Sequence, residues 1–372
     1  MTISATTVPF VDLGLQHARV ADEINTAIDE VISTTAFILG THVERFESEF
    51  ATYCGTEYAV GVANGTDAIE LALRAIGTAP GDDVILPANT FVATAEAVVR
   101  CGARPVLVDC GEDFLIDPTL LGPLITDRTS AVIPVHLYGQ MANIEAIRGV
   151  AGGAVRIIED AAQSQGAQRW GRRAGSLGDV AATSFYPGKN LGAYGDAGAV
   201  MTSSEDAADL VRAMRNHGGV RKYEHCDLGM NSRLDGIQAA VLSVKLKQLD
   251  EWNQERQQAA SRYAALLGDV PAVVLPTVSA GNDHVWHLYV VRVPDRDRVL
   301  RELGEAGIAA GIHYPTPIHL LPAFGFLGHR VGDFPMAERV SAEILSLPIF
   351  PGITADQQVL VAEVLRAAVA GR

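Results

Sequence analysis

The chain has few cysteines, few tryptophans and no long apolar run. Its 4 cysteines are scattered through 372 residues, without the paired spacing of a metal site or the density of a disulfide scaffold. No uncharged stretch is long enough to cross a bilayer, and the first residues lack the basic and apolar segments of a secretory signal. These absences predict reduced thiols in a soluble, cytoplasmic protein.

Positive charge is also scarce. The 29 Lys and Arg residues stand against 44 Asp and Glu, which gives a net charge of −15. This balance argues against nucleic acid and anionic membranes as partners, although a local basic pocket can still bind a phosphorylated substrate. The histidines show no metal-ligand spacing, and no G-x-G-x-x-G follows a predicted strand, so a metal site and a nicotinamide cofactor are both disfavoured.

Short apolar strands alternate with helical segments from about Tyr58 onward. The strand-like segments are, in order, YAVGVA, DDVILPA, RPVLVD, TSAVIPVH and VRIIED. Continuously apolar strands separated by helices predict an α/β fold, in which a mostly parallel central sheet is covered by helices on both faces. VAATSF and GAVMTS follow each other closely and predict an antiparallel pair at one side of the sheet.

The N-terminal segment is predicted as an arm of about twenty residues that leads into a helix over Val20–Thr35. The next helix is predicted to open with a capping box, in which Thr41 is the N-cap and Glu44 lies three residues on. Further helices are predicted over 204–216 and 234–265.

The last third of the chain predicts a smaller α+β domain. HVWHLYVVRV and IAAGIHY are predicted strands around the helix DRDRVLRELGEAG, and the final helix opens with a capping box at Thr354 and Gln357. The long helix before this region is the predicted connector. We expect an arm and a large domain over residues 1–245 and a small C-terminal domain over 246–372.

Unusual residues follow four of the predicted strands, at the place where a doubly wound sheet binds its ligands. Gly65 and Thr66 follow YAVGVA at a helix start, whose free N–H groups and dipole suit a phosphate. The alternative is that Thr66 is a simple N-cap. Phe91 follows DDVILPA, where its ring can either stack on a planar ligand or pack in the core.

The other two strands end at side chains that can carry chemistry. Asp160 ends VRIIED, and Gln163 follows it; the carboxylate can pair with a protonated heterocyclic nitrogen or cap a helix. Ser184 follows VAAT, and Lys189 lies in the glycine-rich segment beyond, as a surface lysine or as a chemically used one. A phosphate cradle, a ring stacker, a carboxylate and a lysine are together the groups that hold pyridoxal phosphate. We therefore interpret Lys189 as the residue that bonds to this cofactor and moves protons.

Six motifs in order carry a resemblance to a known family. They are NGTDAIELAL, NTFVATAEAV, EDAAQSQGA, SFYPGKNLGAYGDAGAV, GMNSRLDGIQAAVL and GIHYPTPIHLLPAF. Through them the sequence resembles the DegT/DnrJ/EryC1/StrS sugar aminotransferases, nearly from end to end. The resemblance implies fold type I, the aspartate aminotransferase-like architecture with a smaller C-terminal α+β domain.

The resemblance also implies the cofactor, pyridoxal 5'-phosphate with pyridoxamine phosphate as its intermediate form, and the residues that bind it. Lys189 would be the Schiff-base lysine, and Asp160 would pair with the pyridine nitrogen; these are the two catalytic residues. Gln163 would contact the ring hydroxyl, and Phe91 would stack on the ring. The phosphate would be held by Gly65, Thr66 and Ser184 and, from the neighbouring subunit, by Asn231. A homodimer with shared active sites follows from this arrangement.

Further positions match the family's substrate site. His313 and Tyr314 match residues that line the sugar site, and Arg233 matches a residue near the nucleotide-sugar. The alternative for Arg233 is a salt bridge at a helix start. Arg221 and Lys222 can meet a diphosphate or form a solvated loop surface.

The implied function is transamination of a nucleotide-linked 3-oxo-6-deoxy hexose, with dTDP as the expected nucleotide, to the 3-amino sugar. L-glutamate is the implied amino donor, and amino-sugar biosynthesis is the implied setting. Two alternatives stay open: a 4-aminotransferase acting on a dTDP-4-oxo-6-deoxy hexose, and a non-catalytic protein that binds sugar nucleotides. The family's dehydratases carry histidine in place of the Schiff-base lysine, and the lysine at position 189 disfavours that branch.

Overall fold

The computed structural model describes residues 7–221 and 223–371. The helices in these ranges are α1 (Leu13–Thr34), α2 (Thr41–Cys54), α3 (Gly65–Ala75), α4 (Val92–Arg100), α5 (Ile144–Ala151), α6 (Glu205–Met214), α7 (Gly236–Leu246), α8 (Leu249–Leu267), α9 (Arg296–Glu305), α10 (Pro335–Glu343) and α11 (Ala355–Ala370). The strands are β1 (Tyr58–Val62), β2 (Asp83–Pro87), β3 (Arg104–Val108), β4 (Thr129–Val132), β5 (Arg156–Asp160), β6 (Gln168–Arg169), β7 (Arg172–Arg173), β8 (Val180–Ser184), β9 (Gly198–Thr202), β10 (Gly219–Arg221), β11 (Glu224–His225), β12 (Asn282–Asp283), β13 (Tyr289–Arg292) and β14 (Ile344–Leu347).

Seven strands form the central sheet in the order β1-β9-β8-β5-β4-β2-β3. The strands from β8 to β3 in this order are parallel, whereas β9 is antiparallel to both of its neighbours. The predicted mostly parallel sheet is confirmed, and so is the antiparallel pairing of VAATSF with GAVMTS. Because β1, β2, β5 and β8 run in one direction, the residues that follow them meet at one edge.

Helices cover both faces of this sheet, as its apolar strands predict. On one face, α3, α4 and α6 bury side chains such as Leu71 and Val98 against the strands. On the other face, α2 and α7 enclose a second core around Phe46, Phe50 and Phe185. Phe46 and Phe50 both meet the ring of Phe185 edge-on, at 5.4 and 5.1 Å between centroids, which anchors the chain just after β8.

The C-terminal part has its own core, in which α8, α9 and α11 pack with β13 and β14. HVWHLYVVRV contains a strand, as predicted, and it pairs antiparallel with β14. IAAGIHY forms no named strand in the described chain; it contributes isolated bridges, from Ile308 and Gly311. The strand partner is ILSL at β14, which the sequence analysis did not predict. The domain boundary between residues 245 and 246 falls near the end of α7 and stays a prediction.

Three predictions for the helices were wrong. Helix α1 begins at Leu13 and not at Val20, because Asp12 caps it by accepting from the N–H groups of Gly14 and Leu15 at 2.9 and 3.2 Å. Thr41 is the first helical residue of α2, so Gly40 occupies the N-cap position and no capping box forms there. The single helix predicted over 234–265 is two helices, α7 and α8.

The second predicted capping box is present. Thr354 accepts from the Gln357 N–H at 3.1 Å, and Gln357 accepts from the Thr354 N–H at 2.9 Å. The 4 cysteines are all free, and 3 of them are buried. Among the described residues, no helix is both long enough and apolar enough to span a membrane.

Candidate active site

A cavity of about 770 Å³ opens where the strands of the central sheet end. Nine of the residues singled out in the sequence line it: Gly65, Thr66, Phe91, Asp160, Gln163, Ser184, Lys189, His313 and Tyr314. The parallel strands bring the first seven together at one sheet edge, and the C-terminal part of the chain contributes the last two. A volume of this size suits a cofactor or a small substrate.

Lys189 lies in a tight turn that leaves β8. Its N–H donates to the carbonyl of Tyr186 at 2.8 Å. The turn closes so tightly that a Cβ at Gly192 would lie 2.2 Å from the Pro187 carbonyl oxygen, which only glycine avoids. Lys245 of α7 donates from Nζ to the Gly192 carbonyl at 2.7 Å. These contacts hold the backbone on both sides of Lys189 and direct its side chain into the cavity.

The surroundings of the Lys189 amine bring its pKa close to neutral pH. Burial lowers its pKa to about 8, although the nearby Asp160 carboxylate acts in the opposite direction. Within the described chain, Nζ has no hydrogen-bond partner. A lysine with a pKa this close to neutral pH can both accept and release a proton.

Asp160 ends β5 and is 4% exposed. Thr94 donates to its Oδ2 at 2.8 Å, and the Ala162 N–H donates to Oδ1 at 3.2 Å. Burial raises the pKa of this carboxyl in spite of both donors and of the Lys189 charge. A turn and not a helix follows Asp160, so the helix-cap alternative was wrong. A cationic partner in the cavity would relieve the cost of burying this carboxylate.

The start of α3 forms a backbone cradle. Its N-cap is Asn64, whose Oδ1 accepts from the Asp67 N–H at 2.8 Å, so the alternative that Thr66 is the N-cap was wrong. A Cβ at Gly65 would lie 2.6 Å from the Cβ of Ser184, so glycine lets the helix start approach β8. First-turn N–H groups lack partners within the helix, and here they lie beside the Ser184 hydroxyl.

Aromatic and amide side chains form another part of the cavity lining. Phe91 is the N-cap residue of α4 and is 50% exposed, so the alternative that it packs in the core was wrong. Its ring centroid lies 5.1 Å from that of Tyr314. Gln163 donates from Nε2 to the Tyr314 hydroxyl at 3.0 Å and accepts at Oε1 from the Tyr138 N–H at 2.7 Å. This network orients Gln163 and Tyr314 together.

His313 completes this part of the lining. Its Nδ1 lies 2.8 Å from the Ser346 hydroxyl, and its ring stacks on Phe10 at 5.5 Å between centroids. Burial, with a contribution from the Lys189 charge, lowers the pKa of His313 to about 4. The imidazole is therefore neutral near pH 7, whereas burial raises the pKa of its neighbour Tyr314.

Two predicted residues lie outside the lining of this cavity. Asn231 is exposed and pairs with Asn216 in an isolated bridge. Arg233 donates to Oδ1 of Asn216 at 3.1 Å and forms no ion pair within the described residues, so the salt-bridge alternative has no support. Arg221 is exposed in β10, and Lys222 lies outside the described residues.

The structure adds residues that the sequence analysis missed. Thr94, Asn190, Arg256 and His287 line the cavity or hold a residue that does. His287 lies in HVWHLY, which was interpreted only as a strand. Nothing in the local pattern distinguishes such a histidine from one in a core, because its partner Asn190 lies 97 residues away along the chain.

These residues fit pyridoxal phosphate. An unpartnered lysine amine, a buried carboxylate, an exposed aromatic ring and a backbone cradle that a Cβ at Gly65 would fill all meet in one cavity. Each supplies one requirement of the cofactor: the aldehyde, the ring nitrogen, the ring face and the phosphate. A mostly parallel sheet with this constellation at its carboxyl edge defines a lysine-dependent pyridoxal phosphate enzyme.

Comparison with known proteins specifies the family. A sequence model of the DegT/DnrJ/EryC1/StrS aminotransferase family matches residues 18–366. The chain belongs to this family and is a pyridoxal phosphate-dependent aminotransferase, and a solved relative carries the cofactor in its pyridoxamine form. The resemblance stated from the six motifs is thereby confirmed.

Individual relatives extend over nearly the whole chain. The dTDP-3-amino-3,4,6-trideoxy-alpha-D-glucose transaminase of Streptomyces venezuelae is 45% identical, over 96% of this chain and 95% of its own. A protein of Geobacillus stearothermophilus named pleiotropic regulatory protein is 46% identical, over 96% of this chain and 97% of its own. The solved structure of S. venezuelae DesV is 44% identical and has a TM-score of 0.95, over 97% of this chain and 98% of that one. The prediction of fold type I is confirmed.

Proposed function

We propose that this enzyme transfers the amino group of L-glutamate to C3 of a dTDP-linked 3-oxo-6-deoxy hexose. The observation that carries the proposal is the unpartnered Lys189 amine, which shares one cavity with Asp160 and with the helix start at Gly65. The name of the S. venezuelae relative, a dTDP-3-amino sugar transaminase, supports the nucleotide and the C3 position. The family resemblance supports glutamate as the donor.

The cavity residues divide the work of the reaction. When bound, pyridoxal phosphate withdraws electrons from the carbon that loses a proton and carries the amino group from donor to acceptor. Gly65, Thr66 and Ser184 would hold its phosphate, Phe91 and Gln163 would orient its ring, and Asp160 would keep its ring nitrogen protonated.

Lys189 moves the protons. In the first half of the reaction, its Nζ takes the proton from the α-carbon of glutamate; in the second half, it delivers a proton to C3 of the sugar. A pKa of about 8 suits both directions, since the amine and the ammonium are then close in free energy at neutral pH. His313 and Tyr314, which face the same cavity, would contact the sugar, and we assign Arg233 to the nucleotide side.

The test has two parts. Adding L-glutamate to the cofactor-loaded enzyme should shift its visible absorbance band towards the ultraviolet, and steady-state kinetics with the sugar nucleotide should be ping-pong. Nuclear magnetic resonance of the product should then show nitrogen on C3. Nitrogen on C4 would establish the 4-aminotransferase alternative, and a protein that binds the sugar nucleotide without turnover would establish the non-catalytic one.

We further propose that the enzyme is a homodimer, in which Asn231 reaches the phosphate bound by the partner subunit. Asn231 is exposed and lies outside the cavity of its own chain, which supports this assignment. Asn231→Ala and Lys189→Ala chains should each be inactive, whereas a purified heterodimer of the two should recover activity in the site that carries both native residues. An inactive heterodimer would place Asn231 elsewhere.

A further inference from the structure

A ladder of buried amide side chains lies directly behind Lys189. Asn253 donates from Nδ2 to the Gln165 carbonyl at 2.9 Å, and its Oδ1 accepts from Nδ2 of Asn190 at 2.8 Å. The same Nδ2 donates to the Val285 carbonyl at 3.0 Å. Oδ1 of Asn190 lies 3.0 Å from Nδ1 of His287. Asn190 and Asn253 are 1% and 5% exposed, so water does not substitute for these contacts.

Two backbone carbonyls set the direction of every hydrogen bond in this ladder. A carbonyl only accepts, so the amide atoms that face Gln165 and Val285 must be the nitrogens of Asn253 and Asn190. The atom of Asn190 that faces His287 is then its oxygen, which also only accepts. His287 must therefore carry its proton on Nδ1, and Nε2 is left with a free lone pair.

Nε2 is the ring nitrogen of His287 that the ladder leaves free. His287 is partly exposed and lines the same cavity as Lys189, while its Nδ1 is occupied by the ladder. The titratable groups that act on the ring are the cations Lys189 and Arg256, together with His313. Burial and these groups keep the pKa of His287 well below its usual value, so the ring stays neutral and Nε2 stays an acceptor.

We propose that His287 is a positioning residue for Lys189: Nζ has no hydrogen-bond partner within the described chain, and the free Nε2 lone pair in the same cavity accepts from it when the lysine turns towards the reacting carbon. Asn190, the residue after Lys189, maintains the required tautomer from behind. No proton is transferred in this contact, because the neutral imidazole can accept a hydrogen bond from either the amine or the ammonium form of Lys189. The inference rests on the proposed role of Lys189.

Two substitutions separate the functions of the two ring nitrogens. In His287→Asn, the amide nitrogen lies near the Nδ1 position and can still donate to Asn190, but the acceptor in the cavity is lost. In His287→Gln, the amide oxygen lies near the Nε2 position and restores that acceptor, while the contact with Asn190 is lost. We expect His287→Asn to lower kcat about tenfold to a hundredfold with little change in KM, and His287→Gln to retain most of kcat. The reverse ranking would show that His287 only supports Asn190 and would overturn the proposal.

The tautomer itself can be observed in the holoenzyme. Nitrogen-15 resonance on protein labelled at histidine should show His287, identified by its loss in either variant, with the proton on Nδ1 across the neutral pH range. His136 and His284 are internal references for the opposite tautomer, because their Nδ1 atoms accept from the N–H groups of Ala142 and Trp286. The exposed His225 also carries its proton on Nδ1, which lies 2.9 Å from the His217 carbonyl. If neither variant folds, a wild-type spectrum with no Nδ1–H histidine besides His225 still overturns the inference.

A Lys189→Ala variant distinguishes this inference from the function on which it depends. Turnover in Lys189→Ala would contradict the proposed function itself. An inactive Lys189→Ala, combined with an Nε2–H tautomer at His287, would overturn only the positioning role.

Discussion

Glu159 and Asp160 are neighbours on β5, and both carboxylates are buried, yet they lie on opposite faces of the sheet. Glu159 faces the layer that holds His136, whose Nε2 lies 2.8 Å away. It also accepts from the N–H groups of Gly175, Leu177 and Gly178 at 2.9, 2.7 and 2.6 Å. Asp160 faces the cavity, and within the described residues it has two donors.

The pKa values of the two carboxyls diverge for this reason. Burial by itself would raise the pKa of Glu159, but His136 and the surrounding N–H groups outweigh it and lower the pKa. For Asp160, burial prevails and the pKa rises. The Glu159 carboxylate has its hydrogen-bond donors and its charge partner within the protein, whereas the Asp160 carboxylate gains a charge partner only when a cation enters the cavity.

Two lysines repeat this contrast. Burial lowers the pKa of both Lys189 and Lys245 to about 8. Nζ of Lys245 donates to the Gly192 carbonyl at 2.7 Å and lies 4.6 Å from the centre of the Tyr194 ring, so it is fully used in holding the turn. Of the two lysines, the one whose Nζ has no hydrogen-bond partner in the described part of the chain is Lys189, in the cavity. In each pair, the residue with fewer protein partners is the one that lies in the candidate active site.

The lysine pair gives the largest expected effect. Lys189→Ala should lower turnover by at least about a thousandfold, because the side chain that takes and delivers the proton is removed. Lys245→Met should lower turnover far less than Lys189→Ala, because Lys189 itself remains, but it should lose about 1–3 kcal/mol of stability, since the Gly192 carbonyl then lacks its donor. Kinetics and urea unfolding of both variants measure the difference. Equal losses of turnover in the two variants would contradict the contrast between Lys189 and Lys245.

The carboxylate pair should differ in the same manner. Asp160→Asn should reduce kcat about a hundredfold or more, because the ring nitrogen loses the partner that keeps it protonated. Glu159→Gln should keep its catalytic chemistry while the free energy of unfolding falls by about 3 kcal/mol, since a buried, hydrogen-bonded charge is removed from its donors. Single-turnover rates and denaturant unfolding at pH 7.5 separate the two outcomes. A stable Glu159→Gln would mean that its four donors contribute little.

Gly65→Ala should weaken cofactor binding about tenfold to a hundredfold, because its Cβ would lie 2.6 Å from the Cβ of Ser184 and push the start of α3, which forms the phosphate cradle, away from Ser184. Titration of the apoenzyme with pyridoxal phosphate measures this loss. Pyridoxal without its phosphate is the matched control, and its affinity should hardly change. An equal loss for both ligands would indicate general damage to the cavity.

The smallest effects are in the pH dependence of stability. Because its folded pKa is lowered, Glu159 stabilises the protein above its unfolded pKa of roughly 4.3, and this stability is lost as the pH falls through the folded pKa. Asp160 has a raised pKa, so its ionised form opposes folding once the pH rises past its unfolded pKa of roughly 3.9. Relative to wild type, apo Glu159→Gln should therefore recover stability as the pH is lowered, and apo Asp160→Asn should gain stability as the pH is raised.

Unfolding of the apoenzymes from pH 3 to 7 would show the two trends. If the stability of both variants, relative to wild type, changed with pH in the same direction, the contrast between a well hydrogen-bonded Glu159 and a poorly paired Asp160 would be contradicted.

Much of the site followed from strand ends and local motifs. Gly65, Asp160 and Ser184 were predicted because each follows or ends an apolar strand, and parallel strands bring such positions to one edge. The errors occurred where a short-range signal was ambiguous. Thr41 has the residue type of an N-cap, but the backbone of Gly40 enters the helix one residue earlier. Strand β14 continues directly from α10 without a turn signal and was missed.

The sequence by itself determined the α/β class, the order of the parallel strands' apolar segments and the chemistry-bearing residues at their ends, because these depend on patterns a few residues long. Only the tertiary structure decided which buried polar groups find hydrogen-bond partners. The two faces of β5 give Glu159 four donors and Asp160 two, and Asn190 meets Asn253 and His287 across 63 and 97 residues. Hydrogen-bond satisfaction is a property of three-dimensional neighbours, and no local pattern encodes it.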